Sequence, residues 1–247
     1  MLSIIIPSLS EPYLQKTVDD IKKHAETDIE ILVGDDAKLK LGQRGVMNHL
    51  ARQAKGEYIL KCDAHCSFGQ GFDRIMLEDM HDNVIMAPYL LVLDGEKWIV
   101  RHDKRSSSYC FDTNLVMNYN LEAENKEPLS ETMCLQGSCF LMTTENYWKW
   151  NICDESLGSW GGQGTELGIK AYLNGGVCMT TKKTYYGHVF RHNEEDFPYK
   201  RDLAKVSESH QAVIKQFKNK SIAGLIEKYN YPCDWNNEKV LELPDVV

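Results

Sequence analysis

The chain has 247 residues, 43% of them hydrophobic and 26% charged, with a formal charge of −8. This composition excludes a disordered chain, a collagen-like repeat and a coiled coil, and the length favours one large domain, with or without a tail. No apolar run reaches the ~18 residues of a membrane span, so no membrane partner is expected. The short run Leu2 to Ile6 has no basic residues ahead of it, which is unlike an export signal, so a cytoplasmic protein is expected. In that setting the eight cysteines are expected as reduced, buried thiols.

Leu2 to Ile6 is β-branched and apolar and is closed by Pro7, which predicts a buried strand. From Glu11 to His24, Leu14, Val18 and Ile21 recur at spacings of four and three, one stripe of a helix. Ile29 to Val33 is a second strand, followed by Gly34-Asp35-Asp36. Arg44 to Lys55 reads as a helix with Val46, Met47, Leu50 and Ala54 on one side, and Gly56 stops it. Tyr58 to Leu60 is a third strand, with Cys62-Asp63-Ala64-His65-Cys66 at its carboxyl end. Phe72 to Met80 is a helix and Val84 to Ala87 a strand. The alternation predicts an α/β fold with a mostly parallel sheet flanked by helices.

The middle is less regular. Trp98 to Asn120 reads as a hairpin plus a mobile loop, and Leu121 to Glu131 as a surface loop. Met133 to Met142 is apolar around Gly137, and Glu145 to Trp150 is helical. Ser159 to Gly162 is a turn, Gly164 to Leu173 a helix, and Val177 to Thr180 a last strand. One amphipathic helix is expected near Ala212 to Lys228. From Lys182 to Lys220 there are nine Lys/Arg against five Asp/Glu, a stretch that either meets phosphates or is a solvated helical surface.

Ligands of open parallel sheets bind outside the carboxyl ends of the strands. Asp35, Asp36 and Asp63 lie at such ends and suit a ribose, a base edge or a cation that carries phosphates. For Asp35 and Asp36, helix capping or turn chemistry is the competing reading. In Asp63-Ala64-His65 the two outer residues point the same way on an extended segment, so both can meet one metal ion. Cys62 and Cys66 flank that pair and open a zinc reading. Alternation points them the other way, and no second Cys/His pair has structural-zinc spacing. His188 and Arg191 follow the last predicted strand, as a further ligand and a phosphate clamp or as a buried histidine beside a surface arginine. Trp160-Gly161-Gly162, with Gln163 and Glu166, puts an aromatic face and polar groups at a helix start, suited to a sugar or to core packing. No dinucleotide fingerprint, phosphate-binding P-loop, nucleophile elbow or His-Glu-x-x-His helix is present in the sequence.

Five ordered motifs resemble one family. They are Ile4-Ile5-Ile6-Pro7, Ile31 to Asp36, Ala54-Lys55-Gly56 followed by Asp63 to Cys66, Trp160-Gly161-Gly162 with Glu166, and Gly187-His188-Val189-Phe190-Arg191. Together, over about residues 2–198, they resemble the catalytic domain of the UDP-GalNAc:polypeptide N-acetylgalactosaminyltransferases, within the family-2-like glycosyltransferases of GT-A fold. Gly137 lies in the segment that corresponds to the family's glycine pair. The resemblance implies a GT-A-like catalytic domain over 1–200, with a C-terminal helical extension over 201–247 packed on it. It implies that Asp63, His65 and His188 ligate Mn²⁺, or Mg²⁺, bridging a UDP-sugar's diphosphate, and that Asp35 or Asp36 reads the uracil or ribose. Arg191 would sit near the phosphates; Arg44, Trp160, Gly161, Gly162 and Gln163 are assigned to the donor.

Where the family has Glu and Asn, this chain has Gln163 and Gly164, which leaves the sugar open. Because position 164 offers no base, retention of configuration is expected, with Glu166 as the base if the reaction inverts instead. The expected acceptor is a hydroxyl of a peptide Ser/Thr, a glycan or a hydroxylated DNA base. The expected setting is a minimal enzyme in a bacterial cytosol or a phage-infected host. A non-catalytic sugar-nucleotide-binding module and a nucleotidyltransferase are the competing readings.

Overall fold

A computed structural model of the chain describes residues 1–102, 107–112, 114–120, 127–191, 193–217 and 222–229. The elements in chain order are β1 (Leu2–Ser8), α1 (Leu14–His24), β2 (Ile29–Asp35), α2 (Asp36–Leu39), α3 (Gly42–Ala51), β3 (Tyr58–Cys62) and β4 (Cys66–Phe68). There follow α4 (Phe72–Glu78), β5 (Val84–Asp94), β6 (Ile99–Arg101), β7 (Tyr109–Phe111), β8 (Met117–Tyr119), β9 (Leu129–Thr132) and β10 (Cys139–Thr143). The chain continues with α5 (Thr144–Lys149), α6 (Gln163–Leu173), β11 (Val177–His188), α7 (Leu203–Phe217) and α8 (Ala223–Tyr229). No helix among the described residues is long and apolar enough to cross a membrane.

The main sheet has the order β2-β1-β3-β10-β5-β11-β4, with β6 on β5 and β9 on β11, while β7 and β8 form a separate hairpin. Strands β1, β2, β3, β5 and β11 run one way, and β4, β6, β9 and β10 run against them. The expected parallel core is therefore present, and antiparallel strands complete it. Strand β1 is buried along its whole length. Its period-two alternation sends Ile4 and Ile6 into one apolar cluster and Ile5 into another, which is why it reads as a continuous apolar run.

Several expectations change. The apolar stretch around Gly137 contains β10, inserted antiparallel between β3 and β5 with Cys139 opposite Cys62. The last strand runs on through His188, far beyond Thr180. Its run Thr180-Thr181-Lys182-Lys183-Thr184 hides the apolar period, and the pairing with β5 shifts register between Thr181 and Tyr185. Leu129 to Thr132 pairs with β11 as β9 and is no loop; 121–126 lie outside the described residues. The loop expected between Trp98 and Asn120 has its residues 103–106 and 113 outside them too. The expected C-terminal helix is two helices, α7 and α8, with 218–221 between them undescribed. On α7, Val213 packs on Gly162 and Ser209 on Gly158.

Helix α1 docks the sheet edge with polar as well as apolar groups. Thr17 Oγ1 accepts the backbone N–H of Cys66 (3.0 Å), and Asp20 accepts the N–H of Phe68 (2.8 Å) and the hydroxyl of Ser67 (2.9 Å). These bonds satisfy one edge of β4 and fix the backbone beside His65.

Candidate active site

Strand β3 ends at Cys62, and the N–H of Asp63 donates to Ser138 O (2.9 Å) just before β10. Ala64 and His65 form a turn, not the extended segment expected, and the turn still brings the His65 ring toward Asp63. Strand β11 pairs antiparallel with β4, placing His188 opposite Cys66, and Val189 N donates to His65 O (3.2 Å). Sheet pairing thus joins residues 123 positions apart: His65 Nε2 lies 3.0 Å from His188 Nε2. Asp63 Oδ2 is 3.3 Å from His188 Nε2 and 4.0 Å from His65 Nε2. Asp63, His65 and His188 are the group with metal-ligating geometry among the described residues, and all three are buried.

The donor set fits a divalent cation. Bonds of about 2.0–2.2 Å to one ion put neighbouring donors roughly 3 Å apart. The ring tautomers fit as well. Glu11 Oε2 accepts from His65 Nδ1 (3.1 Å), which leaves the lone pair of Nε2 facing the cluster. Burial, then the neighbouring His65, pushes His188 down to about 4, so its imidazole is neutral near pH 7. Its Nδ1 has no hydrogen-bond partner among the described residues. Burial alone would raise Asp63, but the Lys61 ammonium and then the His188 hydrogen bond hold it well below the usual carboxylate range. Glu11 is likewise raised by burial and lowered further by His65 and Arg191, ending below its ordinary value.

A cavity of about 240 Å³ opens at this cluster, outside the carboxyl ends of β1 and β3. Asp63, His65, Glu11, Asp36, Trp160 and Tyr199 are among its walls. Lys200, Arg201 and Lys205, from the basic C-terminal stretch, also line it.

Other expected residues stand elsewhere. Arg44 and Glu166 do not line the cavity; they pair with each other, each about 1% exposed, at 3.0 Å. Glu166 also accepts from Lys170 Nζ (2.6 Å) and the N–H of Asp154 (3.1 Å), so its carboxylate is fully engaged. Gln163 points inward, toward Cys153 Sγ (3.2 Å), because the first turn of α6 packs on the core. Asp35 caps α2 by accepting from Ala37 N (3.1 Å), the capping alternative. Asp36 combines both readings: it accepts from Leu41 N (2.7 Å) and Gly42 N (3.0 Å) and still borders the cavity. Gly161 and Gly162 take φ of 122° and 65°, turn conformations that favour glycine and present half-buried Trp160 to the cavity. Arg191 is buried, donates to Glu11 Oε2 (2.6 Å) and keeps Nη1 without a partner among the described residues. Cys62 and Cys66 face the apolar core, where burial pushes their thiols well up, so the zinc reading finds no ligands in them.

Two site residues escaped the sequence reading. The helical pattern takes in Glu11, yet Glu11 lies in the loop after β1, at the carboxyl end of a parallel strand. Lys61 stands in a strand and offers no motif; only its position two before Asp63 marks it.

No protein-family model matches the chain. Curated relatives include Caenorhabditis elegans polypeptide N-acetylgalactosaminyltransferase 5, 28% identical over 163 residues, covering 61% of this chain and 25% of the relative. Drosophila melanogaster N-acetylgalactosaminyltransferase 6 is 24% identical over 204 residues, covering 77% and 30%. A crystal structure of GalNAc-T7 with UDP, GalNAc and Mn²⁺ superposes with a TM-score of 0.64 at 17% identity, over 77% of this chain and 44% of that one. A structure of S. aureus TarS 1-349 in complex with UDP-GlcNAc gives 0.53 at 16%, over 78% and 59%.

The chain resembles a polypeptide N-acetylgalactosaminyltransferase catalytic domain. Its fold is GT-A-like. This GT-A-like chain spans about a quarter to a third of the length of the curated relatives it matches.

Proposed function

We propose that the chain is a metal-dependent glycosyltransferase that moves a hexose or N-acetylhexosamine from a UDP-sugar to a hydroxyl acceptor with retention of configuration. The observation that carries this reading is the convergence of Asp63, His65 and His188 beside the cavity at the strand ends. One carboxylate and two imidazoles suit Mn²⁺, with Mg²⁺ as the substitute. The names of the relatives, the UDP-GlcNAc complex of TarS and the structure of GalNAc-T7 with UDP, GalNAc and Mn²⁺ support a UDP-sugar donor. A peptide Ser/Thr is the first acceptor to try. Residues 1–200 form the catalytic unit in this reading, and the helices from 201 on are its extension.

When bound, the cation supplies Lewis-acid stabilisation of the departing UDP. Asp63, His65 and His188 would hold it, and Glu11 orients the His65 ring. Arg191, with one unpartnered N–H edge, offers its charge to the diphosphate. Asp36 reaches the uridine end, and the Trp160 face packs on donor or sugar.

Retention draws support from α6. A Cβ on Gly164 would lie 2.1 Å from Leu135 O, so packing keeps that position without a side chain. Glu166, the other carboxylate of this turn, is held by Arg44 and Lys170. Neither can serve as a base on the far side of the sugar, so the acceptor attacks from the face UDP leaves and a phosphate oxygen takes its proton.

The test is a panel of UDP-sugars incubated with the protein and Mn²⁺, Mg²⁺ or EDTA. UDP release with one or two donors, lost in EDTA and restored by Mn²⁺, is expected. Release that ignores EDTA, or no UDP release from any donor with either cation, overturns the proposal. NMR of the product's anomeric proton tests retention; a β-linkage from an α-donor refutes it.

A further inference from the structure

Lys61 is 1% exposed, on β3, two residues before Asp63 and on the same side of the chain. Its ammonium donates to Asp63 Oδ1 and to Gly137 O (2.7 Å). The carboxylate is thereby divided: Oδ1 belongs to Lys61, and Oδ2 faces His188 and His65. A second carboxylate is also paired with a cation, although undivided: Glu11 Oε2 takes both Arg191 and His65. The two carboxylates of the cluster, Asp63 and Glu11, are thus matched one for one by Lys61 and Arg191. Both histidines are uncharged as ligands. A divalent cation therefore enters a buried site whose negative charge is already balanced.

We propose that Lys61 is a positioning residue: it fixes Asp63 with Oδ2 toward the ligand set, and its charge keeps the site weak for a bare divalent cation. The ion then binds tightly only together with an anionic diphosphate, which supplies the missing charge. This rests on the metal reading of Asp63, His65 and His188. Two effects of Lys61 oppose each other. Losing an outer hydrogen-bond partner of a ligand takes away roughly 10–100-fold in affinity. Repulsion between an ammonium and a doubly charged ion, one carboxylate width apart in a poorly screened interior, is the larger effect.

The test is calorimetric titration of Mn²⁺ into the full chain, with and without UDP, for the wild type, Lys61→Met and Lys61→Arg. The wild type should bind Mn²⁺ at least about tenfold more tightly with UDP than without. Lys61→Met should bind Mn²⁺ alone about tenfold more tightly than the wild type, with a smaller gain from UDP. Lys61→Arg, which keeps the charge, should stay within about threefold of the wild type. A folded Lys61→Met protein with unchanged or weaker Mn²⁺ affinity overturns the proposal. If Lys61→Met is unfolded in EDTA, circular dichroism decides: refolding on Mn²⁺ addition supports the proposal, and no refolding overturns it. If no variant binds Mn²⁺ even with UDP, the metal reading itself has failed, and this proposal with it.

Discussion

Two buried charge networks invite comparison: Arg44–Glu166–Lys170 and Asp63–His65–His188. In the first, both Glu166 oxygens are engaged, and Arg44 also donates to Gly158 O (3.3 Å) and Gly161 O (2.7 Å). In the second, His188 Nδ1 and Arg191 Nη1 lack partners among the described residues, and two imidazole Nε2 atoms face each other at 3.0 Å. Buried polar groups are costly when unmet. A network that closes on itself acts as a clamp between elements, here α3 and α6. One with two imidazole Nε2 atoms and a carboxylate oxygen converging beside a cavity is built to receive something.

The largest expected effect tests that division. Asp63→Ala or His188→Ala should cut Mn²⁺-dependent UDP release by about 10³-fold or more while far-ultraviolet circular dichroism stays native. An Asp63→Ala protein with wild-type turnover would remove the site from the comparison. Next comes the clamp. Glu166→Ala leaves Arg44 and Lys170 buried without their shared counter-charge, at a cost of about 3–5 kcal/mol. A fall in Tm of roughly 10 °C is expected, with Mn²⁺ binding to the folded protein unchanged. Loss of Mn²⁺ binding in the folded variant would show that the two networks are one.

A third test uses pH on the scaffold. Asp73 is buried and accepts from Glu26 N (2.9 Å), Thr27 N (2.7 Å) and Thr27 Oγ1 (2.6 Å). Burial raises its carboxyl, yet these hydrogen bonds bring it below the ordinary value. Its contribution to stability is therefore full above the unfolded carboxylate range, near pH 4, and is lost as pH falls through the lower folded value. Asp73→Asn should cost about 1.5–3 kcal/mol at pH 7 and flatten the acid limb of urea-denaturation stability. An unchanged slope would assign the acid limb to other groups. The smallest effect belongs to Trp160→Ala. Loss of its half-buried face should raise the donor KM about three- to tenfold with little change in kcat, and a fall in kcat alone would place it on the chemistry instead.

Much of the architecture was legible because β1, β2 and β3 carry short, continuous apolar runs rich in β-branched residues and α1 and α3 carry helical stripes. Strand β10 was not, since an antiparallel strand between parallel neighbours has the same apolar pattern as a buried helix. Asp63 and His65 announced themselves by a spacing of two. His188 was legible only through its motif, for a histidine at the end of a polar strand has no local signal. Arg44 and Glu166 misled for the opposite reason: charged residues near motifs invite a ligand reading, and their pairing is invisible across 122 positions.

The sequence by itself determined the α/β alternation, the acidic turns at strand ends and the residue types for one cation, because period and spacing are local properties of a chain. Only the tertiary structure decided which charges meet. Pairing of β11 with β4 brings His188 to His65, and packing of α3 against α6 turns Arg44 and Glu166 away from the cavity. Contacts between distant segments depend on strand order and helix docking, which no short window of residues encodes.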